Sequence, residues 1–500
     1  MTPNRTVRGG AACPPRSARR WPIVALATLS LLTSACLKVP PYQKPSIAVP
    51  PAFKEQPPEG WKQAQPGDGA IRGKWWEVFN DPALNTLEEQ VGISNQNVLQ
   101  AEAQYRAARA AVRVARSALF PTLTSTPAIT ETKTSSRAGT ARFAPAAPVS
   151  NFDFPFEVSY QPDVWDSLRR GVAASAATAQ SSDAQLENVR LLYQTELALD
   201  YFQLHGLDGD SELLDQTVKS YQEYLQLTKN RFEGGVASDS DVAQAETQLY
   251  TTQSQLTDVG VARTQMEHAI ATLIGKTPAE LTIPPTSIKG SPPPVPVAVP
   301  SALLERRPDI ADAERQVAAA NQQIGIAKAA FYPTLTLAAT GGAQAGNFVN
   351  WITWPSRFWT VGPQLAELLF DAGKRRATVQ STEAQYDATA AAYRQSVLTA
   401  FQQVEDNLSA LRILDAEAVT LGQAVKSAER AVLVSTEQYK AGTVNYLQVI
   451  TTQTIALQDE KSAVDLLTRQ MTASVQLIQA LGGGWDTSRL PTARDVGSER

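Results

Sequence analysis

The sequence predicts a mainly α-helical protein with a small β part, built from two internal repeats. Residues 97–124 and 309–336 are the same segment at a shift of 212 residues. Each copy reads as an alanine-rich helix that ends at a proline, Pro121 or Pro333, and continues as alternating threonine and leucine. Long proline-free stretches rich in alanine, glutamine, leucine and glutamate follow in both halves. A duplicated helix-to-strand unit indicates one architecture built twice rather than several unrelated domains.

The composition excludes several classes of function. The 500 residues carry a net charge of −4 and 19% charged residues, without a basic patch interleaved with aromatics, so no nucleic-acid partner is expected. With two histidines, two cysteines and no GxSxG, HExxH or phosphate-loop motif, we expect neither an enzyme nor a bound metal or other cofactor. His205 and His268 are isolated on predicted helices and are interpreted as surface or hydrogen-bonded polar residues rather than ligands.

Residues 1–35 are predicted to be a lipoprotein signal peptide. An arginine-rich start precedes an apolar run at residues 22–32, which is too short to span a bilayer as a helix. Small residues at 33–35 then precede Cys36, as at a bacterial lipoprotein cleavage site, so Cys36 is the predicted acylated residue. The alternative is an ordinary signal peptide with an incidental cysteine. Leu37, rather than aspartate, favours release to the outer membrane.

The first half is predicted to hold one helix, two strands and three further helices. An extended proline-rich arm at 36–82 precedes the first repeat at 83–275. In the second strand, apolar residues from Phe152 to Tyr160 alternate with polar ones, which gives the strand one apolar face. Pro155 is tolerable there only near a sheet edge or a bulge. The predicted elements are a helix from just after Pro82 to about Leu119, strands at 121–131 and 152–164 around an exposed loop, and helices at 166–204, 211–232 and 239–274.

The second half repeats this plan after a proline-rich linker at 276–302. The second repeat is placed at 303–486, and residues 487–500 are predicted to be disordered. Four aromatic residues cluster near the strand ends, where they fit a membrane-interface girdle or, alternatively, cap a soluble core; they are Trp351, Trp354, Phe358 and Trp359. The predicted elements are a strand from Leu335, a loop at 341–350, a strand at 355–366, and helices at 371–409, 413–440 and 445–480.

The long helices are predicted to pack side by side as a wall. A helix such as 239–274 would be about 54 Å long, and its modest apolar content cannot wrap a globular core. Abundant alanine permits close approach on two flanks, whereas a simple antiparallel coiled coil, the alternative, uses one seam. Gly235 and Gly442, which correspond at a shift of 207, are predicted to be the turn residues of two helical hairpins.

Five marks in a fixed order resemble the bacterial outer-membrane efflux proteins, the TolC-like outer-membrane factors, and within them the lipoprotein branch of drug-efflux systems. The resemblance spans residues 36–486. The marks are Cys36 with the Pro-Tyr-Gln-Lys-Pro at 41–45, the segments 75–82 and 303–310, the segment 369–376, and the closing Leu-Gly-Gly-Gly-Trp at 481–485.

The resemblance implies a homotrimer in the outer membrane of a Gram-negative bacterium, anchored by lipid and in contact with outer-membrane lipids. Each chain would give four strands to a shared twelve-stranded outer-membrane β-barrel and its long helices to a trimeric helical-barrel tunnel in the periplasm. An equatorial band would include helix breaks near 205–210 and 408–414. The implied function is the channel-tunnel of a tripartite efflux system. It is a passive exit duct for drugs or other small molecules, served by a periplasmic adaptor and a proton-driven inner-membrane pump. The alternative is a lipid-anchored periplasmic coiled-coil adaptor without a pore.

The resemblance also implies a gate at the periplasmic hairpin tips. Tyr439 and Asp241 match family residues that tie neighbouring hairpins together, with Ser240 where the family has threonine and Asp239 as a further acidic residue. Val444 replaces a family arginine, and Gln448 and Thr451 replace its acidic rings, so a different closure is expected. Helix capping is the alternative role for Asp239 and Asp241. The tips expected to contact the adaptor are Gly235, Val236, Ala237, Gly442, Thr443 and Val444.

Overall fold

The computed structural model describes residues 41–55, 73–133, 135, 147–295 and 300–498 of the chain. Cys36 and the predicted signal peptide lie outside the described residues. The described part begins with an extended arm, and a short 3-10 turn at Trp75–Phe79 buries both tryptophans of the arm.

The first repeat starts with two helices where one was predicted. Asn95 adopts an extended conformation between them, and its side chain accepts hydrogen bonds from the amides of Asn97 and Val98 at 2.9 and 3.2 Å. The Asn95 amide group also donates to the carbonyl of Leu273 at 2.8 Å. A capping side chain therefore restarts the helix. The elements are α1 (Pro82–Ser94), α2 (Gln96–Ser117), β1 (Thr122–Ser125), β2 (Ala128–Thr132), β3 (Val149–Tyr160), α3 (Ser167–Glu233) and α4 (Asp239–Leu273).

The second repeat has the same order of elements. After the linker come α5 (Pro300–Arg306), α6 (Pro308–Ala329), β4 (Thr334–Ala345), β5 (Arg357–Ala366), α7 (Lys374–Lys440) and α8 (Tyr446–Ala480). Corresponding helices have equal lengths: α2 and α6 have 22 residues, α3 and α7 have 67, and α4 and α8 have 35. The predicted internal repeat is therefore present in the fold.

The expected helix breaks at 205–210 and 408–414 are wrong, because α3 and α7 run through them without interruption. Each of these helices is about 100 Å long. A glycine such as Gly206 weakens a helix, but here it allows two helices to pack closely. A side chain at this position would collide with Thr468 of α8. Leu408, Leu411 and Leu414 are buried in the main core, which holds this part of α7 helical.

The main hydrophobic core lies at the middle of the long helices. It joins the arm tryptophans and α1 to the central turns of α3 and α7 and to the C-terminal half of α8, and it includes the linker residues Ile283 and Val295. The predicted disordered tail at 487–500 instead contains two 3-10 turns, at Thr487–Arg489 and Asp495–Gly497, and the second packs on α2. Val496 is fully buried against Val112 of α2, and the Arg116 guanidinium donates to the Gly497 carbonyl at 2.9 Å.

The strands form one antiparallel sheet in which β3 and β4 are central. β1 and β2 pair with the same side of β3 in one continuous register, so they are a single strand interrupted at residues 126–127. The interruption lies opposite Pro155, whose missing N–H leaves no donor there. Pro155 is therefore tolerated in a central strand because the neighbouring strand is broken, rather than because β3 lies at an edge.

The sheet has one apolar and one polar face. Residues paired across strands share a face: Phe156 lies opposite Gly341, and Gly341 lies opposite Trp359. The same face carries Leu123, Val158, Val361 and Leu365, all of which are more than a third exposed. The opposite face carries threonines, Asp153, Glu157 and Gln364. The predicted alternation is therefore present in the sheet.

In the described part of the chain, no helix combines the length and the apolar character that crossing a membrane requires.

Gly342 allows β3 and β4 to approach closely, so we predict that Gly342→Ala destabilises the sheet. A methyl group there would collide with the carbonyl oxygen of Phe154, and overpacking of this kind costs about 1–3 kcal/mol. Thermal unfolding of the purified protein in detergent, followed by circular dichroism, should give a lower Tm. Gly362→Ala is the matched control because nothing lies within 4 Å of its added methyl group. Equal Tm values for the two variants would contradict the prediction.

Candidate functional site: the paired hairpin tips

Both helical hairpins turn on a glycine in the left-handed region. Gly235 has φ of 73°, and Gly442 has φ of 76°. At the first tip the Val236 amide donates to the Arg231 carbonyl at 2.8 Å, and at the second the Thr443 amide donates to Gln438 at 3.0 Å. These bonds close the last helical turn in a Schellman motif. The predicted role of both glycines is confirmed.

Polar side chains begin the second helix of each hairpin. Ser238 caps α4 and forms a capping box with Asp241, whose carboxylate accepts from the Ser238 amide at 2.9 Å. Asp239 is the first residue of α4, where a negative charge favours the helix N-terminus. Asn445 caps α8 by accepting from the Gln448 amide at 3.2 Å. The capping alternative therefore holds for Asp241.

Arg231 joins the two hairpins of one chain. Its Nη1 donates to the carbonyl oxygens of Tyr439 and Lys440 at 3.1 and 3.3 Å, and its guanidinium lies 4.6 Å from the centre of the Tyr439 ring. A cation at the C-terminal end of α7 satisfies carbonyls that have no partner in the helix and interacts favourably with the helix dipole. The Tyr439 ring adds a cation–π contact. Arg231 is thus an inter-hairpin tie that the sequence interpretation missed.

Tyr439 belongs to a small apolar core just inside the tips. Its ring lies 5.3 Å from that of Tyr446, and the two side chains are buried. Burial, and after it the neighbouring Tyr439, raises the pKa of the Tyr446 phenol, which is therefore neutral. The core also contains Val218, Tyr221, Leu225, Ala245, Leu249 and Val449.

The predicted gate residues do not meet within one chain. The Asp241 carboxylate accepts from Ser238, whereas the Tyr439 hydroxyl is enclosed and has no hydrogen-bond partner among the described residues. Ser240 accepts from Gln244 at 3.4 Å. A contact between Tyr439 of one copy and Asp241 of another remains a prediction.

The sequence departures from the family have visible consequences at the tips. Val444 packs against the tyrosine core, so an apolar contact stands where the resemblance expects an arginine. Gln448 and Thr451 are exposed. At the outer end Gly235, Val236, Gly442 and Thr443 are exposed, and Ala237 is half-buried.

His205 is a buried structural residue near the middle of α3. The Nδ1 atom of its ring lies 3.0 Å from the Asp208 carboxylate. The same carboxylate accepts from the Arg263 guanidinium at 2.6 Å and from the Thr286 amide at 3.0 Å. Arg263 donates to the carbonyl of Ile283 at 2.6 Å. His205 is thus a satisfied polar residue, as interpreted, and His268 is exposed. Within the described ranges, no group of three or more acidic, histidine or cysteine side chains is arranged to hold a metal ion.

Comparison with known proteins gives the family of this architecture. A profile described as "Outer membrane efflux protein" matches residues 88–276 and 299–483. The chain therefore belongs to the outer membrane efflux protein family, as the resemblance implied.

Characterised relatives match almost the whole chain. The pyoverdine export outer membrane protein OpmQ of Pseudomonas aeruginosa is 28% identical over 477 residues, covering 94% of this chain and 98% of OpmQ. The probable efflux pump outer membrane protein TtgC of Pseudomonas putida is 27% identical, covering 93% of this chain and 96% of TtgC. The solved outer-membrane channel OprN superposes with a TM-score of 0.80 at 27% identity, covering 89% of this chain and 99% of OprN. The family consists of efflux channels rather than enzymes.

Proposed function

We propose that this protein is the outer-membrane channel-tunnel of a tripartite efflux system. It would be a passive exit duct for drugs or other small molecules, which a proton-driven inner-membrane pump delivers through a periplasmic adaptor. The observation that carries this proposal is an amphipathic sheet with two open edges, joined to helices about 100 Å long, in a chain of the efflux protein family.

The sheet supports assembly of several chains around one pore. β5 and the interrupted strand β1/β2 leave unpaired backbone groups at the two edges. Such edges cannot face lipid unless another chain pairs with them. Three copies that contribute four strands each would close a twelve-stranded barrel with its apolar face toward lipid.

The internal repeat indicates where the copies meet. α6 lies between α3 and α7, whereas its counterpart α2 packs on α3 and has no second long helix beside it among the described residues. Because α6 packs on α3, the repeat indicates that α2 packs on the counterpart of α3. At a shift of 207 residues, that counterpart is α7. We therefore place α7 of one copy against the free flank of α2 in the next.

Two residue pairs support this placement. Within the chain, Ala311 of α6 packs on Ala184 of α3. The corresponding pair is Leu99 on α2 and Ala391 on α7, both exposed. Likewise, Gly325 on α6 leaves room for the Arg170 side chain of α3. In the corresponding pair the large residue, Arg113, lies on α2 and the small one, Ala377, lies on α7. Each pairing between copies thus sets one large residue against one small residue.

We predict that Ala391→Trp prevents assembly of three chains. Its counterpart Ala184 is fully buried, so a large side chain at Ala391 would occupy the space that α2 of the next copy needs. Light scattering of the purified protein in detergent should give the mass of three chains for the wild type and a lower mass for the variant.

The matched control is Ala392→Trp, whose counterpart Gln185 is exposed even within the chain. This variant should keep the mass of three chains. Circular dichroism would show that both variants retain their helices. A mass of three chains for folded Ala391→Trp would exclude the proposed interface.

We propose further that Arg231 contributes to closure of the periplasmic mouth. It ties the first hairpin to the second within each chain, so the second hairpin cannot swing away while its bonds to Tyr439 and Lys440 remain. A latch between Tyr439 and Asp241 of neighbouring copies, with Ser240 and Asp239 beside it, would be a second tie. It requires the Tyr439 hydroxyl to leave its enclosed position.

Arg231→Met should therefore raise the open probability of single channels in planar lipid bilayers. Loss of hydrogen bonds from a charged donor, worth about 1.5–3 kcal/mol each, should shift the closed-to-open ratio by about ten-fold or more. Lys229→Met is the control, because Lys229 pairs with Glu246 inside the first hairpin, at 2.9 Å. Equal open probabilities in the two variants would remove Arg231 from the gate. If the wild-type protein carried no current at all, the poreless adaptor alternative would be favoured.

We propose that Cys36 carries the lipid anchor. The apolar run before small residues at 33–35 supports acylation, and two or more acyl chains suffice for stable membrane attachment. Cells grown with radioactive palmitate should label the wild-type protein and leave Cys36→Ser unlabelled. Labelling of both proteins would contradict acylation at Cys36 and would favour an ordinary signal peptide with an incidental cysteine.

The exposed hairpin tips are the proposed contact for the adaptor. Val236 is 69% exposed although it is apolar, and it lies at the outermost turn of the first hairpin beside Gly235 and Ala237. Gly442, Thr443 and the half-buried Val444 form the corresponding turn of the second.

A further inference from the structure

A cavity of about 310 Å³ lies between the two hairpins, away from their tips. α3 contributes residues between Leu213 and Tyr224, α7 contributes Glu429 and Val432, and α8 contributes residues between Gln453 and Glu460. A volume near 300 Å³ lies at the lower end of the range for small-molecule sites. It is about ten times the share of one water molecule in the liquid.

The charges that line this cavity are all negative. Glu429 and Glu460 both line it, no lysine or arginine does, and neither carboxylate forms an ion pair with a described residue. Burial, and after it the nearby Glu429 and Asp459, raises the pKa of the Glu460 carboxyl. Glu460 is half-buried and Glu429 is exposed, and no cation among the residues that line the cavity compensates the repulsion between the two carboxylates.

A buried acceptor in the same wall also has no partner. Gln453 is 5% exposed, it lines the cavity, and its Oε1 receives no hydrogen bond from any described residue. An unsatisfied buried carbonyl costs about 1–3 kcal/mol unless a donor reaches it. Tyr221 and Tyr224 line the same space and add aromatic rings, to which a cation is attracted.

The internal repeat carries other residue types at the positions of the two glutamates and the two tyrosines. At a shift of 207, Gln222 and Gln253 stand where Glu429 and Glu460 stand, and Ala428 and Ala431 stand where Tyr221 and Tyr224 stand. The corresponding helices thus form with neutral and small residues at these positions. Tyr221 also belongs to the apolar core inside the tips, whereas the two glutamates have no ion-pair partner among the described residues.

We propose that the cavity binds a small organic cation that carries an ammonium or guanidinium group. Its N–H groups would donate to the carboxylates of Glu429 and Glu460 and to the Gln453 carbonyl, and its charge would lie near the tyrosine rings. A bare metal ion fits less well, because the cavity offers only two carboxylates, and no group of three or more acidic, histidine or cysteine side chains among the described residues is arranged to hold a metal. This inference does not depend on the channel proposal, since it concerns a cavity inside one chain.

The test is isothermal titration of the full-length protein in detergent with agmatine, which carries both cationic groups. The wild type should bind agmatine, and Glu460→Gln should weaken the affinity by about ten-fold or more, because a charge-assisted contact is lost. Asp459→Asn is the matched control: it removes the same charge from the adjacent residue, which does not line the cavity, and should change the affinity less than about two-fold.

A second variant separates binding from folding. Gln453→Leu removes the unpartnered acceptor, so it should weaken agmatine binding while leaving the Tm of the free protein unchanged or higher. Absence of agmatine binding by the wild type would overturn the proposal, and so would equal binding by Glu460→Gln. Titration with MgCl₂ or CaCl₂ alone completes the test, because a metal that bound while agmatine did not would show a metal site instead.

Discussion

The constraint on which this structure depends is that its long helices carry surfaces for burial on two flanks. A helix of 67 residues can be held straight only by neighbours along its whole length, because packing rather than intrinsic propensity supplies most helical stability in water. Leu191 on α3 is 8% exposed, whereas its repeat counterpart Leu398 on α7 is 54% exposed. This position is therefore buried in the first repeat and exposed in the second, whereas α2 of the first repeat lacks the second long neighbour that α6 has. The proposed assembly of several chains would cover both surfaces and pair the open edges of the sheet.

Within one chain, the two repeats are held in register by buried and half-buried charges that bind backbone groups. Arg263 and Glu267 hold the carbonyl and the amide of Ile283 in the linker. Arg307, at the start of the second repeat, pairs with Asp309 and donates to the Ala480 carbonyl at the end of α8 at 3.0 Å. Each guanidinium is paired and hydrogen-bonded, which is the condition under which a buried charge is tolerated. These bonds fix where the linker crosses the helices, and so fix the relation of one repeat to the other.

The features that could be predicted from the sequence are those with a local or periodic signal. The duplication is a periodic signal at a shift of 212 residues, whereas the apolar alternation of β3 and the two turn glycines depend on residues close together in the chain. The errors arose where distant residues decide the local structure. Gly206 remains helical because Thr468 packs on it, and Pro155 is tolerated because the opposing strand is interrupted. Val496 is ordered because Val112 covers it. Arg231 was missed for the same reason, since its partners lie more than two hundred residues away.

At the hairpin tips, a cation that joins the two hairpins can be carried by either hairpin. The resemblance to the family expects a cation on the second hairpin, at the position of Val444, but the cation of this chain is Arg231 on the first hairpin. The exchange changes what the cation can do. Arg231 binds the carbonyls at the end of α7, so it stabilises a helix end and joins the hairpins in the same contact. Val444 can then pack on the tyrosine core, where a charged side chain would have to be desolvated. A tie made in this way is complete within a single chain, because both of its partners lie on the second hairpin of the same chain. In the proposed assembly of three chains, contacts between copies would then need only to align three hairpin pairs that Arg231 has already joined.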